Sequence, residues 1–207
     1  MNKNWIKEID KHEKKIHSQG KQDGALEYII SNLDIDNDFC VEFGHNSQRI
    51  AGGSGANTAN LIINHKWNHL LLGAGGKDAP SINLYNHFLT TDNICDIFKK
   101  YKVPKNLGYL SIDVDSTDLW LLDKLLERYN PSIFSVEFNP NIPLSYAITF
   151  PNNPKQRWQG DRVFGASLRC FSIVAKKYDY SLIYAGNFRH SSRHHDAFFV
   201  RNDLMVD

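Results

Sequence analysis

Apolar runs of strand length alternate with stretches of helical period along most of this chain, and no other feature constrains the fold as strongly. The runs at 39–43, 110–115 and 133–138 have the length and composition of strands buried on both faces. Between them, apolar residues recur at helical spacing, as at 94–101 and 119–129. The pattern predicts an α/β fold in which helices cover both faces of a mostly parallel sheet.

The last two apolar runs, 181–185 and 196–200, lie close together. The roughly ten residues between them are too few for a crossover helix, so these runs should pair as a hairpin with an antiparallel final strand. A short strand is expected near Phe88, and a helix over about 57–66. Helix starts are predicted at residues able to cap a first turn: Asn57 or Thr58, Thr91 or Asp92, and Ser116 or Thr117.

Length and composition limit the organisation of the chain. An apolar content of 42% in 207 residues suffices for one domain and hardly for two. We therefore expect one domain over 1–207, with a polar N-terminal helix at 1–20 and a lid-like insertion rich in Pro and Asn at 140–161.

Charge and cysteine usage limit the partners and the compartment. The net charge of +1 gives no pull toward nucleic acid or a membrane surface, so small molecules or other proteins are the expected partners, with a homo-oligomer left open. Residues 1–17 are charged throughout and fit neither a secretion signal nor a membrane span. Cys40, Cys95 and Cys170 are far apart, which favours reduced thiols in a cytoplasmic protein.

A glycine-rich segment, VEFGHNSQRIAGGSGANTANL at 41–61, follows the first strand. Glu42 can accept a hydrogen bond from a ribose hydroxyl. Four glycines let backbone amides approach a ligand closely: Gly44, Gly52, Gly53 and Gly55. The spacing matches neither the dinucleotide fingerprint nor the phosphate-binding P-loop, so an adenosyl ligand without a phosphate chain is the better candidate. An ordinary glycine-rich connection between a strand and a helix is the alternative.

Polar residues follow three of the predicted strands, whose carboxyl ends meet at one edge of the sheet, where ligands bind in such folds. The three groups are Glu42, Gly44, His45 and Asn46; Asp113, Asp115 and Ser116; and Glu137, Asn139 and Asn141. Asp113 and Asp115 are alternate residues of one predicted strand and should point to the same face, where unpaired carboxylates are costly to bury.

Three roles would offset this cost. Asp113, Glu137 and Asn139 could hold a hard divalent metal such as Mg or Mn. Alternatively, one carboxylate could act as general base for a substrate hydroxyl while another binds a cofactor amine. The purely structural alternative is that Asp115 or Ser116 caps the next helix and Asp113 pairs with an arginine or a backbone amide.

The order and spacing of several motifs resemble those of class I S-adenosylmethionine-dependent methyltransferases of the FkbM-like group. The resemblance covers about residues 18–203 and rests on these segments: QDGALEYI, VEFG followed by NTANLI, LGYLSIDVDSTDLWLL, SVEFNPN and FGASL. It implies a Rossmann-like sheet of seven strands with an antiparallel last strand. It also implies methyl transfer, with S-adenosylmethionine as the cofactor.

The resemblance further implies site residues. Glu42 and Gly44 would hold the methionine part and the ribose of the cofactor, with His45 and Asn46 continuing that loop. Asp113 would lie beside the methyl donor. A segment expected to lie over the cofactor comprises Gln22, Asp23 and Gly24.

The sequence departs from this pattern after the second strand, which should end in an acid that binds the ribose. The run 70–76 is LLLGAGG, and no carboxylate follows until Asp78. Either Asp78 swings in on the flexible glycines, or the ribose is held in another way, or cofactor binding has been lost. The turn after Gly44 is also longer than usual.

The substrate side is expected at the insertion and near a histidine cluster. The insertion carries groups that suit a sugar, although a plain surface loop could carry the same residues: Tyr146, Thr149, Phe150, Arg157 and Trp158. Between the last two strands lie His190, His194, His195 and Asp196. His195 or His194 could be a general base or a ligand, the alternative being exposed loop histidines. Arg189 and Arg193 leave an acidic substrate open.

These observations favour an O-methyltransferase that acts on a small hydroxylated metabolite or glycan, with Asp113, Glu137, Asn139 and His195 as the catalytic candidates. A noncatalytic methyltransferase-like binding module is the alternative, because the second-strand acid is missing. A metal-dependent hydrolase that uses the acidic groups is a weaker one.

Overall fold

The computed structural model describes residues 3–35, 37–53, 55–153, 155, 158–186 and 195–205. They form a seven-stranded sheet of order β3-β2-β1-β4-β5-β7-β6. The strands are β1 (Phe39–Phe43), β2 (Asn68–Gly73), β3 (Leu84–Asn86), β4 (Tyr109–Ile112), β5 (Ile133–Glu137), β6 (Tyr180–Ala185) and β7 (Asp196–Arg201). The α-helices are α1 (Gln22–Ser31), α2 (Ala59–Ile63), α3 (Ile94–Lys100), α4 (Asp118–Leu126) and α5 (Leu168–Lys177). Short 3-10 helices span Lys3–His12, Pro80–Ile82 and Asn202–Met205.

The strand directions confirm the predicted fold class. β1 to β5 pair in parallel, whereas β7 lies between β5 and β6 and is antiparallel to both. The predicted hairpin of the last two strands and the antiparallel final strand are therefore correct.

Two apolar clusters cover the two faces of the sheet. Val41 and Leu110 face the cluster that contains α3, α4 and α5. Their neighbours Cys40 and Tyr109 face the cluster that contains α1 and the first 3-10 helix. Because both faces are covered, a ligand can reach the sheet only at the ends of its strands. In the described part of the chain, no helix has the length and apolar character that a membrane span requires.

Several predicted boundaries are wrong. The N-terminal helix at 1–20 is a 3-10 helix limited to Lys3–His12, and β3 ends at Asn86, before Phe88. The helix expected at about 57–66 spans only Ala59–Ile63. The predicted cap of α3 at Thr91 or Asp92 is incorrect, since Asn93 holds that position. Its side-chain oxygen accepts from the Thr90 amide at 2.9 Å and so closes the preceding turn.

Candidate functional site

A cleft of about 720 Å³ opens at the carboxyl ends of the parallel strands. One end is lined by residues that follow β2 and β3, and the other by residues that follow β4 and β5. Gly44 and Asn46, after β1, lie between these ends in the strand order. The lining residues used below are Gln19, Gly73, Ala74, Asp113, Asp115, Glu137 and Trp158. The sequence had predicted the site at this edge of the sheet.

Gly44 allows two strand ends to approach each other closely. Its φ of +82° is in the left-handed region, and a Cβ placed there would lie 1.8 Å from the Asp113 carbonyl oxygen. Only glycine meets both demands without strain. Gly44 therefore sets the backbone of β1 against that of Asp113 at the floor of the cleft.

Glu42 lies beneath the glycine-rich loop, with only 2% of its surface exposed. One of its carboxylate oxygens accepts from the Thr58 amide at 2.8 Å and from the Thr58 hydroxyl at 2.5 Å. Thr58 is the N-cap residue of α2 and makes no capping bond with its own side chain. Glu42 thus supplies the hydrogen-bond acceptor at the start of α2, a role that the sequence analysis assigns to Asn57 or Thr58.

His45 is the buried partner of Glu42. Its Nδ1 lies 3.4 Å from the other Glu42 oxygen, and its Nε2 lies 3.1 Å from the Arg49 carbonyl. Burial lowers the pKa of His45, but the hydrogen bond and charge of Glu42 outweigh it and the pKa is raised. The His45 side chain does not line the cleft, so only its backbone could meet a cofactor there.

Three carboxylates form the acidic trio of the cleft: Asp113, Asp115 and Glu137. One oxygen from each lies within 4.8 Å of the others. At this separation three ionised carboxylates would repel one another, so the trio keeps protons that its carboxyl groups can share. Burial, and then the neighbouring carboxylates, raise the pKa of Asp113 well above its usual range and that of Glu137 to about 8.

Asp113 and Asp115 lie on a turn and not on one straight strand, contrary to the prediction for 110–115, whereas Glu137 ends β5. β4 ends at Ile112, and Asp115 has a φ of +57°, which no regular strand accommodates. The Asp118 carboxylate accepts from the Val114 and Ser116 amides at 2.8 and 2.9 Å and fixes this turn. Thr117, one of the two predicted starts, holds the N-cap position of α4, so neither Asp115 nor Ser116 caps this helix. The sequence analysis assigns no role to Asp118.

Asn139 does not join the trio, although the sequence placed it in the metal set with Asp113 and Glu137. It is buried, and its amide nitrogen donates to the carbonyls of Arg162 and Phe164 at 2.9 and 3.0 Å. Its oxygen accepts from the Asn141 amide at 2.9 Å. Asn139 therefore anchors the insertion. The structure brings Asp115 to the position among the oxygen donors that the sequence had assigned to Asn139.

The N-terminal segment reaches the cleft through Gln19, which the sequence analysis did not single out. Asp23 accepts from the amides of 16–18, each at 2.8 Å, and so fixes the loop before α1. The Gln19 amide then donates to the Gly55 carbonyl at 3.1 Å, and Gln19 lines the cleft. Gln22 is buried and donates to Asn57 and Asp196.

The end of β2 faces the cleft without a carboxylate. Gly73 and Ala74 line it, whereas Asp78 is exposed and accepts from the Asn86 amide at 2.7 Å. Asp78 thus closes the turn before β3. The structure does not bring Asp78 into the cleft.

The histidine cluster is described only in part. Arg157, Arg189, His190, Arg193 and His194 lie outside the described residues. His195 does not line the cleft. Its Nδ1 is buried and has no hydrogen-bond partner among the described residues, and burial lowers its pKa. Asp196 pairs with Glu137 in the sheet register, and burial raises its pKa to about 7.

The insertion is fixed to the domain at several points. Trp120 donates to the Phe150 carbonyl at 2.7 Å, and Thr149 bridges to Ala166. Tyr146 is exposed at the surface. Among the described residues of the insertion, Trp158 lines the cleft.

Comparison with known proteins defines the fold. The sequence matches no protein-family profile and no curated protein. Among solved structures, the N-terminal domain of EvdMO1 in the presence of SAH and D-fucose is 10% identical, with a TM-score of 0.50 over 96% of this chain and 94% of that chain. The magnesium protoporphyrin IX methyltransferase ChlM from Synechocystis PCC 6803, with bound SAH, is 8% identical, with a TM-score of 0.47 over 95% and 83%. The first likeness assigns the chain a Rossmann-like, class I methyltransferase fold.

Proposed function

We propose that this chain is an S-adenosylmethionine-dependent methyltransferase that transfers a methyl group to a hydroxyl of a small metabolite or glycan. The observation that carries the proposal is the cleft at the carboxyl ends of β1, β2, β4 and β5, which combines a glycine-lined cradle with the acidic trio. The resemblance to the FkbM-like group rests on the sequence motifs and is part of the same proposal.

The shape of the cradle fits an adenosyl group. The backbone at Gly44, Gly73 and Gly75 faces the cleft without side chains, so a flat, polar ligand can lie directly against it. Asn46 and Gln19 line the same cleft. The solved EvdMO1 domain of this fold contained SAH, the product that methyl transfer leaves.

Methyl transfer requires little covalent chemistry from the protein. When bound, S-adenosylmethionine supplies an activated methyl group, so the chain's main task is to hold the acceptor oxygen in line with it. The acceptor hydroxyl must also lose its proton as the new bond forms. A trio carboxylate in its ionised form can accept that proton, and the raised pKa of Glu137, about 8, suits a base that works near neutral pH.

The trio also offers a set of hard oxygen donors that Mg or Mn would fit. A divalent metal would lower the pKa of a bound hydroxyl and share the role of the base. Whether the reaction needs a metal is decided by assaying the protein with and without EDTA.

Titration with S-adenosylhomocysteine (SAH) tests the proposal. We expect calorimetric binding to the wild type, and a loss of at least about tenfold in affinity in Ala74→Trp, whose side chain would fill the cleft. Ile173→Trp is the matched control, because Ile173 is exposed on α5 and does not line the cleft. Absence of binding at about 1 mM SAH would contradict the proposal and favour the noncatalytic binding module. The missing acid after β2 supports that alternative.

A further inference from the structure

The two ends of the cleft offer different chemistry. At the β2 and β3 end, the lining comprises Leu72, the small residues of 73–75 and the segment 87–89. At the β4 and β5 end, it comprises the acidic trio, Ser116 and Trp158. If the adenosyl group lies in the glycine-lined end and reaches the centre at Gly44, the acceptor must enter beside the trio. The walls of that end then select the acceptor.

Trp158 forms a wall at this end of the cleft and is held in place by neighbouring contacts. The two Asn139 bonds hold the carbonyls of Arg162 and Phe164, and the Trp158 indole donates to the Asp161 carbonyl at 2.8 Å. The indole also packs edge-on against Phe164, with ring centres 6.4 Å apart. Nevertheless 47% of Trp158 stays exposed, although a large apolar ring is normally covered. A fixed, half-open indole at a cleft is a surface on which a sugar ring or a cation can stack.

The ionisable side chains that line this end are all acidic in the described part of the chain. Among the described lining residues, Asp113, Asp115 and Glu137 are carboxyl groups, and none is a lysine or an arginine. In the described part of the chain, no lysine or arginine forms an ion pair with any of the three groups. An acceptor that carries a phosphate or a carboxylate would be repelled, whereas an ammonium group would replace the shared protons and neutralise the trio.

We propose that the acceptor is a hydroxylated ring compound that carries an ammonium group, an amino sugar being the simplest example. Its ring stacks on Trp158, its ammonium group contacts Asp115 and Glu137, and a neighbouring hydroxyl faces the methyl donor. This inference rests on the proposed function and names its acceptor class.

The test compares three sugars that share one ring and differ in charge. D-glucosamine, D-glucose and D-glucuronate are titrated by saturation-transfer NMR into the SAH-loaded protein at about pH 7, with EDTA present. We expect glucosamine to bind at least about tenfold more tightly than glucose, and glucuronate not to bind. Asp115→Asn should reduce the preference for glucosamine severalfold, and Trp158→Leu should weaken both sugars. Asp123→Asn, which alters a surface aspartate paired with Lys177 at 2.8 Å, is the matched control and should change nothing.

Each other result has a definite meaning. Equal affinities for glucosamine and glucose, or no binding of any of the three sugars, would overturn the inference about the acceptor. The proposed function would remain supported in both cases if SAH binds. Loss of the glucosamine preference on adding MgCl₂ in place of EDTA would also overturn it, because the trio would then be a metal site. If SAH itself does not bind, the proposed function fails, and the same series on the free protein decides the charge preference by itself.

Discussion

Replacing Glu137 by glutamine should stabilise the free protein at alkaline pH and leave its stability at acidic pH almost unchanged. Burial, together with the charges of Asp196, Asp115 and Asp118, raises the pKa of Glu137 from 4.5 to about 8. A carboxyl group with a raised pKa contributes stability that is fully present below its unfolded pKa and is lost as the pH rises through its folded pKa. In the wild type this loss falls between about pH 4.5 and pH 8.

The size of the effect follows from the same values. At about 1.4 kcal/mol per pH unit, a pKa raised from 4.5 to about 8 costs at most about 5 kcal/mol of unfolding free energy once Glu137 is ionised. Glutamine imitates the protonated form and never ionises. Because Asp113 and Asp115 share protons with Glu137, part of the cost remains on them. We therefore expect Glu137→Gln to gain about 2 kcal/mol at pH 8.5 and roughly nothing at pH 5.

Urea unfolding followed by circular dichroism at both pH values measures this difference. Glu127→Gln is the matched control. Glu127 is exposed and pairs with Lys124 at the surface, so its replacement should change the stability by less than about 0.5 kcal/mol at either pH. If Glu137→Gln changed the unfolding free energy equally at both pH values, the trio would not hold shared protons, and the base proposed above would be ionised throughout.

Two further substitutions test the cradle. Glu42→Ala removes both bonds to Thr58 and leaves His45 without its partner, so we expect a loss of about 3 kcal/mol in urea unfolding; Glu42→Gln keeps an acceptor and should lose about half, and equal losses would contradict the capping role. Gly44→Ala would place a Cβ 1.8 Å from the Asp113 carbonyl, and should cost more than about 2 kcal/mol and abolish SAH binding. Gly160→Ala has a similar φ of +77° in open space, so it should cost only about 1 kcal/mol and keep SAH binding.

The sheet could be predicted because its signal is periodic and local. Runs such as 133–138 are buried on both faces and read as strands without knowledge of their neighbours. The short interval before β7 allowed no crossover helix, which decided its direction. The strand order also placed the three polar groups at one edge, so the location of the site was predictable.

Which side chains meet at that edge was not predictable. Asp115 reaches the trio only because the backbone turns at a positive φ after Ile112. In SIDVDSTD only Asp118 marks that turn, since its carboxylate could have been interpreted as an Asx-type acceptor for the amides of 114 and 116. The predicted role of Asn139 was wrong because its contacts are distant in the sequence, not local. Its partners are carbonyls more than twenty positions away, and sequence spacing cannot show a bond to a distant backbone.

The missing acid after β2 and the long turn after Gly44 are one structural feature. The His45 amide donates to the Leu72 carbonyl at 3.1 Å, which brings the turn across the end of β2. A Cβ at Gly73 would then lie 2.3 Å from the His45 carbonyl oxygen and 2.9 Å from the Asn86 side chain. No acid can stand at Gly73 while the turn takes this path. If an adenosyl group binds here as proposed, Asn46 of the turn and Gln19, both of which line the cleft, are the expected contacts to its ribose.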